Sequence, residues 1–383
     1  MSRRIRFDRN ELAGSFGDIG TDLPLIVGIV LAAGLDSASV FTVFGALQIL
    51  TGLVYGLPMP MQPLKAMAVI VITQKVSGEV LYGAGIAVGF AMLLLTITGA
   101  LRLLVRWIPV CVVRGVQFGL GLALAHLALR SYVPSLGVPG YALAAACTLL
   151  VLLLWDNRRF PPALLVVGLG VAFALASGVS IETIARGIAF TPPALHAPGL
   201  DDILTGFLIL ALPQLPLSLS NAIIATERTV RDLFPHRPVT VERIGLTYSA
   251  VNIVAPFFGG IPVCHGCGGL AGHYAFGART GGAVILYGAY YVVLGLFLSG
   301  PLHEVLKLFP QPVLGVLLFF EALALLALLR DQAANARDLT LALFVGVLAF
   351  ALPHGFLVAL VAGTLVFYGL RRFGAGAPER SER

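Results

Sequence analysis

Gly56-Leu57-Pro58-Met59-Pro60-Met61-Gln62-Pro63-Leu64-Lys65-Ala66 decides how this chain folds. The stretch lies in sequence that is otherwise apolar enough to cross a membrane. Proline lacks the amide donor and clashes with the preceding turn, so Pro58, Pro60 and Pro63 forbid a continuous helix here. A second stretch, Gly259-Gly260-Ile261-Pro262-Val263-Cys264-His265-Gly266-Cys267-Gly268-Gly269, is broken in the same way. Irregular backbone at membrane depth survives only where it is buried in protein or lines a cavity. Two such segments in corresponding places of a chain mark a candidate binding site between them.

The surroundings support a membrane reading. Of 383 residues, 58% are apolar and 11% charged, against roughly 25% charged in a soluble domain. The net charge of +6 forms no patch for nucleic acid, because the bases are scattered over short loops. The basic N-terminus lacks the small-residue cleavage site of a signal peptide, and no stretch is polar and long enough for a separate soluble domain. Cys111, Cys147, Cys264 and Cys267 all sit in apolar sequence and carry no redox message. Apolar runs predict spans at 12–35, 38–57, 58–75, 81–101, 108–129, 139–155, 161–179, 202–226, 242–258, 259–277, 281–299, 311–329, 339–352 and 354–371. The expectation is an all-α polytopic membrane protein with about 14 transmembrane segments. Gly52/Gly56, Gly85/Gly89 and Gly115/Gly119 have the spacing that lets membrane helices approach closely.

Charge tests the count. Of 25 Lys and Arg, Lys65 and Arg114 fall inside spans. With both termini cytoplasmic and sides alternating, only Lys75, Arg130, Arg186 and Lys307 fall outside the cell, a positive-inside bias that one miscounted span would scramble. The halves also resemble each other. Asp22-Leu23-Pro24-Leu25 has a counterpart in Gln214-Leu215-Pro216-Leu217, and Gly56-Leu57-Pro58 in Gly260-Ile261-Pro262. Seven segments per half, 1–180 and 200–372, is an odd number, so the second repeat is expected to be inverted.

In segment 3, four or five extended residues at ~3.3 Å each cross about half of the ~30 Å hydrocarbon core. A half-helix beginning at Pro63 and running to Lys75 crosses the rest at ~1.5 Å per residue. Segment 10 does the same from the opposite side, extended to about Pro262 and helical from near Gly266. Two helix N-termini then meet at the midplane, where free amides and positive dipole ends favour an anion. Lys65 adds a full positive charge, either for that anion or as a partner of Asp18 or Asp22. Asp18 and Asp22, four apart, are expected on one helix face and are candidates for proton coupling. Ser218, Ser220 and Asn221 follow the prolines of segment 8, and could donate to an oxyanion or repair broken backbone bonds. Arg114 and Glu321 are expected to act structurally between the repeats. Cys264-His265-Gly266-Cys267 offers at most three metal ligands and no second pair at zinc spacing, so neither metal nor cofactor is expected. His265 is read as a hydrogen-bond donor or a group that titrates near neutrality. An intramembrane enzyme using Cys264 or Cys267 with His265 is disfavoured, because no membrane acid is placed to orient the histidine.

At these residues the chain becomes recognisable. Glu11 to Thr21, Pro60-Met61-Gln62-Pro63-Leu64-Lys65-Ala66, and Phe258 to Leu270 followed by Phe276-Gly277-Ala278-Arg279-Thr280-Gly281-Gly282 resemble the molybdate transporter family, a branch of the SulP-type sulfate permeases. The resemblance covers essentially the whole chain. It implies a 7+7 inverted repeat like that of uracil permease, with segments 1–4 and 8–11 forming a core and 5–7 and 12–14 a gate. It implies an oxyanion site between segments 1, 3, 8 and 10, with Gln62 and Lys65 matching the segment 3 motif and Cys264, His265 and Gly266 the segment 10 motif. The chain ends soon after its last span, so the C-terminal STAS domain of typical SulP permeases is expected to be lacking. A homodimer through the gate would follow family habit. The expected function is import of molybdate by a proton-coupled secondary active transporter, in a prokaryotic inner membrane judging by compactness. Sulfate or general oxyanion transport is the nearest rival. A channel would need flux above ~10³ per second. A nucleobase permease would want carboxylates where Gln214 and His265 stand.

Overall fold

A computed structural model describes residues 5–154, 162–177, 188–352 and 354–374. Arg158, Arg159 and Arg186, the end of the 161–179 window and Pro353 lie outside the described residues, as do Arg3, Arg4, Arg380 and Arg383 at the termini. The chain opens with α1 (Arg9–Gly14), α2 (Ile19–Ala33) and α3 (Ser37–Tyr55), then β1 (Gln62–Pro63), α4 (Lys65–Gln74), α5 (Gly78–Ile97) and α6 (Ala100–Trp107). There follow α7 (Val110–Leu127), α8 (Gly137–Leu153) and α9 (Pro162–Ala176). A long helix α10 (Leu200–Leu233) opens the second half. It is followed by α11 (Val241–Val254), β2 (Val263–Cys264), α12 (Cys267–Ala275), α13 (Gly282–Leu308), α14 (Gln311–Ala327), α15 (Ala336–Ala351) and α16 (Gly355–Gly374). Among the described residues, seven helices are long and apolar enough to cross a membrane, and Ile19–Ala33, Lys65–Gln74 and Pro162–Ala176 are shorter apolar helices.

Local chemistry explains the breaks. Asp36 caps α3 by accepting from the Ser39 amide at 2.8 Å, and Ser77 caps α5. α3 ends at Gly56 with φ 64°, and the short turn after α11 ends at Gly259 with φ 70°. Glycine alone adopts this left-handed conformation without strain, so both extended stretches begin at one. In α10, Pro213 and Pro216 remove amide donors, and the helix widens into π turns at Phe207–Ala211 and Ser218–Ala225.

Close approach at glycine sets the packing. α3 lies on α13, where a Cβ on Gly52 would sit 2.6 Å from the Gly281 carbonyl oxygen. α5 lies on α11 through Gly85 and Gly89, and α7 lies on α15 through Gly115 and Gly119. α7 also packs on α14, α14 on α8, and α15 on α16. Phe90, Leu94, Ile97, Leu149, Leu153 and Leu365 point outward, as lipid-facing side chains do.

Candidate functional site

The two broken segments cross. β1 pairs antiparallel with β2, Gln62 opposite Cys264 and Pro63 opposite Val263. Pro63 therefore belongs to the ladder, and α4 starts two residues later than its proline suggested, at Lys65. The backbone left over by these short strands is satisfied by two side-chain amides. Gln48 of α3 donates to the Met61 carbonyl at 2.7 Å and accepts from the Met61 amide at 3.0 Å. Asn252 of α11 donates to the Val263 carbonyl at 2.7 Å and accepts from the Val263 amide at 2.9 Å. Each is a fully buried polar side chain clamping one extended segment, which is what buried backbone groups require.

Side chains gather at the helix starts. Gln62 donates to both carboxylate oxygens of Asp18, at 2.7 and 2.9 Å. Its own Oε1 is buried with no partner among the described residues. Gly266 has no room for more than hydrogen, since a Cβ there would overlap the Gln62 amide, and a Cβ on Gly269 would overlap the Asp18 carboxylate. Asp18 thus lies against the first turn of α12. It is the N-cap residue of α2, one turn before Asp22, whose amide donates to the Asp18 carbonyl at 3.0 Å. Asp22 accepts from the Tyr287 hydroxyl at 3.1 Å, with Tyr291 a further 3.0 Å along. Those tyrosines help line a separate apolar cavity of about 510 Å³.

Lys65 pairs with neither aspartate but with Glu321 of α14, whose second oxygen accepts from Thr21 at 2.9 Å. The amides of Ala66 and Met67 at the start of α4 go to the Gln214 side-chain oxygen, at 3.0 and 3.3 Å. That leaves the first turn of α12 as the more open anion pole. Asn221 accepts from Gln117 at 3.1 Å and from the Cys267 thiol at 3.2 Å. Ser218 is 2.7 Å from the Tyr248 hydroxyl, and Ser220 donates to the Leu217 carbonyl at 3.4 Å. Cys264 is buried, and neither nitrogen of the His265 ring is bonded to a cysteine. Its Nδ1 lies 3.1 Å from the Pro60 carbonyl and its Nε2 2.8 Å from the Thr247 hydroxyl. A carbonyl can only accept, so Nδ1 carries a proton. Both ring nitrogens are thereby engaged in bracing the crossing.

A cavity of about 440 Å³ reaches this junction. Lys65, Asn221, Glu321 and Cys267 are buried or half-buried and form its inner end, and Gly268, Arg228 and Asp232 are exposed parts of its lining. Arg114 lines its wall and is held by Asp331 at 2.7 Å and Gln117 at 3.0 Å. Gln62, Lys65, Gly266 and Asn221 are thus brought to one place together with Asp18. Ser218 accepts from Gln214, Asp22 is bonded to Tyr287, and the His265 ring is bonded to Pro60 and Thr247. Gln48, Gln214, Asn252, Thr21 and Glu321 escaped notice as site residues. Their signal was a lone polar residue in an apolar run, which says nothing about its partner.

The family model for "Molybdate transporter of MFS superfamily" matches residues 10–124 and 206–325, two blocks that contain every junction residue named above. Over 416 aligned residues the chain is 33% identical to "Molybdate transporter 1" of Arabidopsis thaliana, spanning 96% of this chain and 90% of that relative. The chain belongs to the molybdate transporter family. Its fold is that of the SLC26/SulP anion transporters. The transmembrane domain of the cyanobacterial bicarbonate transporter BicA superposes with a TM-score of 0.68 at 17% identity, over 94% of this chain and 98% of that one. Murine Slc26a9 superposes with a TM-score of 0.69 at 13% identity, over 94% of this chain and 68% of that one. These relatives are transporters, and the molybdate transporter reading excludes an enzyme.

Proposed function

We propose that this protein is a secondary active transporter that imports molybdate, proton-coupled and working by alternating access of a core against a gate. The observation that carries this reading is the cavity lined by Lys65 and the first turn of α12. Lys65 supplies charge, and the amides of Cys267, Gly268 and Gly269 supply the donors a helix start leaves unused. Gln62, Asn221, Cys264, Gly266, Ser218 and Ser220 complete or support the oxyanion site, and His265 braces it. Asp18, Asp22 and Glu321 outnumber Lys65 at this junction, so a dianion enters favourably only with protons or by displacing a carboxylate. Asp18, linked to the site through Gln62, is the proposed proton carrier, with Asp22 as its reserve.

The fourteen-segment inverted repeat is part of the proposal, with α4 and α12 as the half-helices. Under a two-fold relating segment n to n+7, the Gln48–Met61 clamp maps onto Asn252–Val263. The packing of α3 on α13 likewise maps onto that of α11 on α5. Segments 1–4 and 8–11 are then the core, segments 5–7 and 12–14 the gate, and both termini are cytoplasmic. Arg228 at the cavity mouth belongs to the arginine-rich side, so the described state opens to the cytoplasm.

The test is uptake of labelled molybdate into proteoliposomes, with and without an inward proton gradient, in excess sulfate. Gradient-driven accumulation that sulfate barely suppresses supports the reading. Strong sulfate competition reassigns the protein to general oxyanion transport, gradient-independent uptake removes proton coupling, and no uptake of either anion overturns the substrate.

A further inference from the structure

Glu321 stands where an anion is expected. Its side chain is 15% exposed and that of Lys65 only 4%, and both line the inner end of the 440 Å³ cavity. One carboxylate oxygen is bound by the Lys65 ammonium and the other accepts from Thr21 at 2.9 Å. A charged and a neutral donor thus grip the two oxygens as they would grip two oxygens of a small oxyanion. The three residues come from three helices: Thr21 from α2, Lys65 from α4, and Glu321 from α14, which packs on α7, α2 and α8.

Resting on the transport reading above, we infer that Glu321 is a built-in competing anion, a latch that the transported oxyanion opens by taking its place on Lys65. Removing one partner of a buried ion pair strands the other charge and is strongly unfavourable. Exchanging one anion for another avoids that loss, so displacement of Glu321 is nearly balanced. Once displaced, the carboxylate swings into the cavity, and α14 loses its polar ties to Thr21 of α2 and Lys65 of α4, keeping only its packing on α2. Linkage makes the effect reciprocal: whatever the latch contributes to holding the empty state is subtracted from the anion's affinity. Glu321 therefore sets affinity without being an oxyanion ligand.

The experiment measures molybdate binding to the purified protein by calorimetry, with thermal melting of the same samples. Glu321→Gln keeps the shape and the Thr21 contact but removes the competing charge. It is expected to bind molybdate at least about tenfold more tightly, equivalent to ~1.4 kcal/mol. It should melt lower than wild type without ligand and gain more from molybdate. Thr21→Val leaves every charge in place and loosens the grip on Glu321, along with a Thr21 contact to Asp18, so it guards against a misfolded Glu321→Gln protein. It is expected to tighten binding about threefold, the net worth of one hydrogen bond. Unchanged or weaker binding in the folded variants would overturn the inference and return Glu321 to a purely structural role. A wild type that binds no oxyanion would remove the transport reading itself, and that outcome is distinguishable from binding that the substitutions fail to change.

Discussion

Replacing Asn252 by leucine tests the architecture of the crossing at a single point. Leucine nearly conserves volume, so the loss is of hydrogen bonds rather than packing. Asn252 holds the Val263 carbonyl at 2.7 Å and the Val263 amide at 2.9 Å, and both groups are buried. Each orphaned group is destabilising by ~1–3 kcal/mol, which gives about 2–6 kcal/mol in all. Side-chain hydrogen bonds in membranes measure lower, averaging ~0.6 kcal/mol, because the unfolded chain in lipid finds other partners. A strand without a ladder beyond β1 has fewer alternatives, so the expectation sits at the low end, about 2 kcal/mol. That is about a thirtyfold change in the folded-to-unfolded ratio. The assay is unfolding by SDS titration in mixed micelles, followed by circular dichroism. Gln48→Leu breaks the counterpart clamp on Met61 and is expected to lose a similar amount. Because β1 and β2 pair, the double variant is expected to be non-additive by at least ~0.5 kcal/mol. Losses below about 0.5 kcal/mol in both single variants would refute the idea that these amides hold the broken segments.

Cys267 is half-buried at the cavity's inner end, while Cys111, Cys147 and Cys264 are buried. A membrane-impermeant maleimide applied to the Arg228 side should therefore label Cys267 alone, and molybdate should slow that labelling; loss of the signal in Cys267→Ser would confirm the site. Gly266→Ala drives a methyl into the Gln62 amide and Gly269→Ala drives one into the Asp18 carboxylate. Each is expected to weaken molybdate binding at least about tenfold, or ~1.4 kcal/mol, in calorimetry, and wild-type affinity in either would show that the junction is not the site. Lys65→Ala is expected to abolish binding and also to destabilise by ~3–5 kcal/mol, because it strands Glu321. The double variant Lys65→Met with Glu321→Met should recover much of the melting temperature while binding stays lost, which separates the two roles.

The breaks were legible because proline and glycine act locally: Pro58, Pro60, Pro63 and Pro262 announce missing donors wherever they stand. The same holds for Lys65, a charge in apolar sequence beside a helix start. The partners were not legible, because they are set by contacts across the chain. Lys65 and Glu321 are 256 residues apart, and Gln214 reaches Ala66 across 148. Nor does spacing show that Asp18 caps α2 and is held by Gln62, or that Asp22 is bonded to Tyr287. His265 looked available because histidine has two functional nitrogens, and both turn out to be bound to Pro60 and Thr247.

On the proposed division into core and gate, the polar contacts between the two fall in one place. Among the described residues, the side-chain hydrogen bonds that join them are Thr21 and Lys65 to Glu321, and Gln117 to Asn221. The first cluster links segments 1 and 3 to segment 12, the second links segment 5 to segment 8. The proposed two-fold exchanges segment 1 with 8 and 12 with 5, so the Thr21–Glu321 bond has the Gln117–Asn221 bond as its counterpart. Lys65, Glu321 and Asn221 all line the inner end of the same cavity. Apolar contacts between helices in lipid are weakly directional, since dispersion changes little as one smooth surface slides on another. Hydrogen bonds and an ion pair are directional and hold one register. An oxyanion arriving at Lys65 and Asn221 would compete for the groups that fix that register. Occupancy and movement are then coupled by chemistry at the site itself, with no distant relay required.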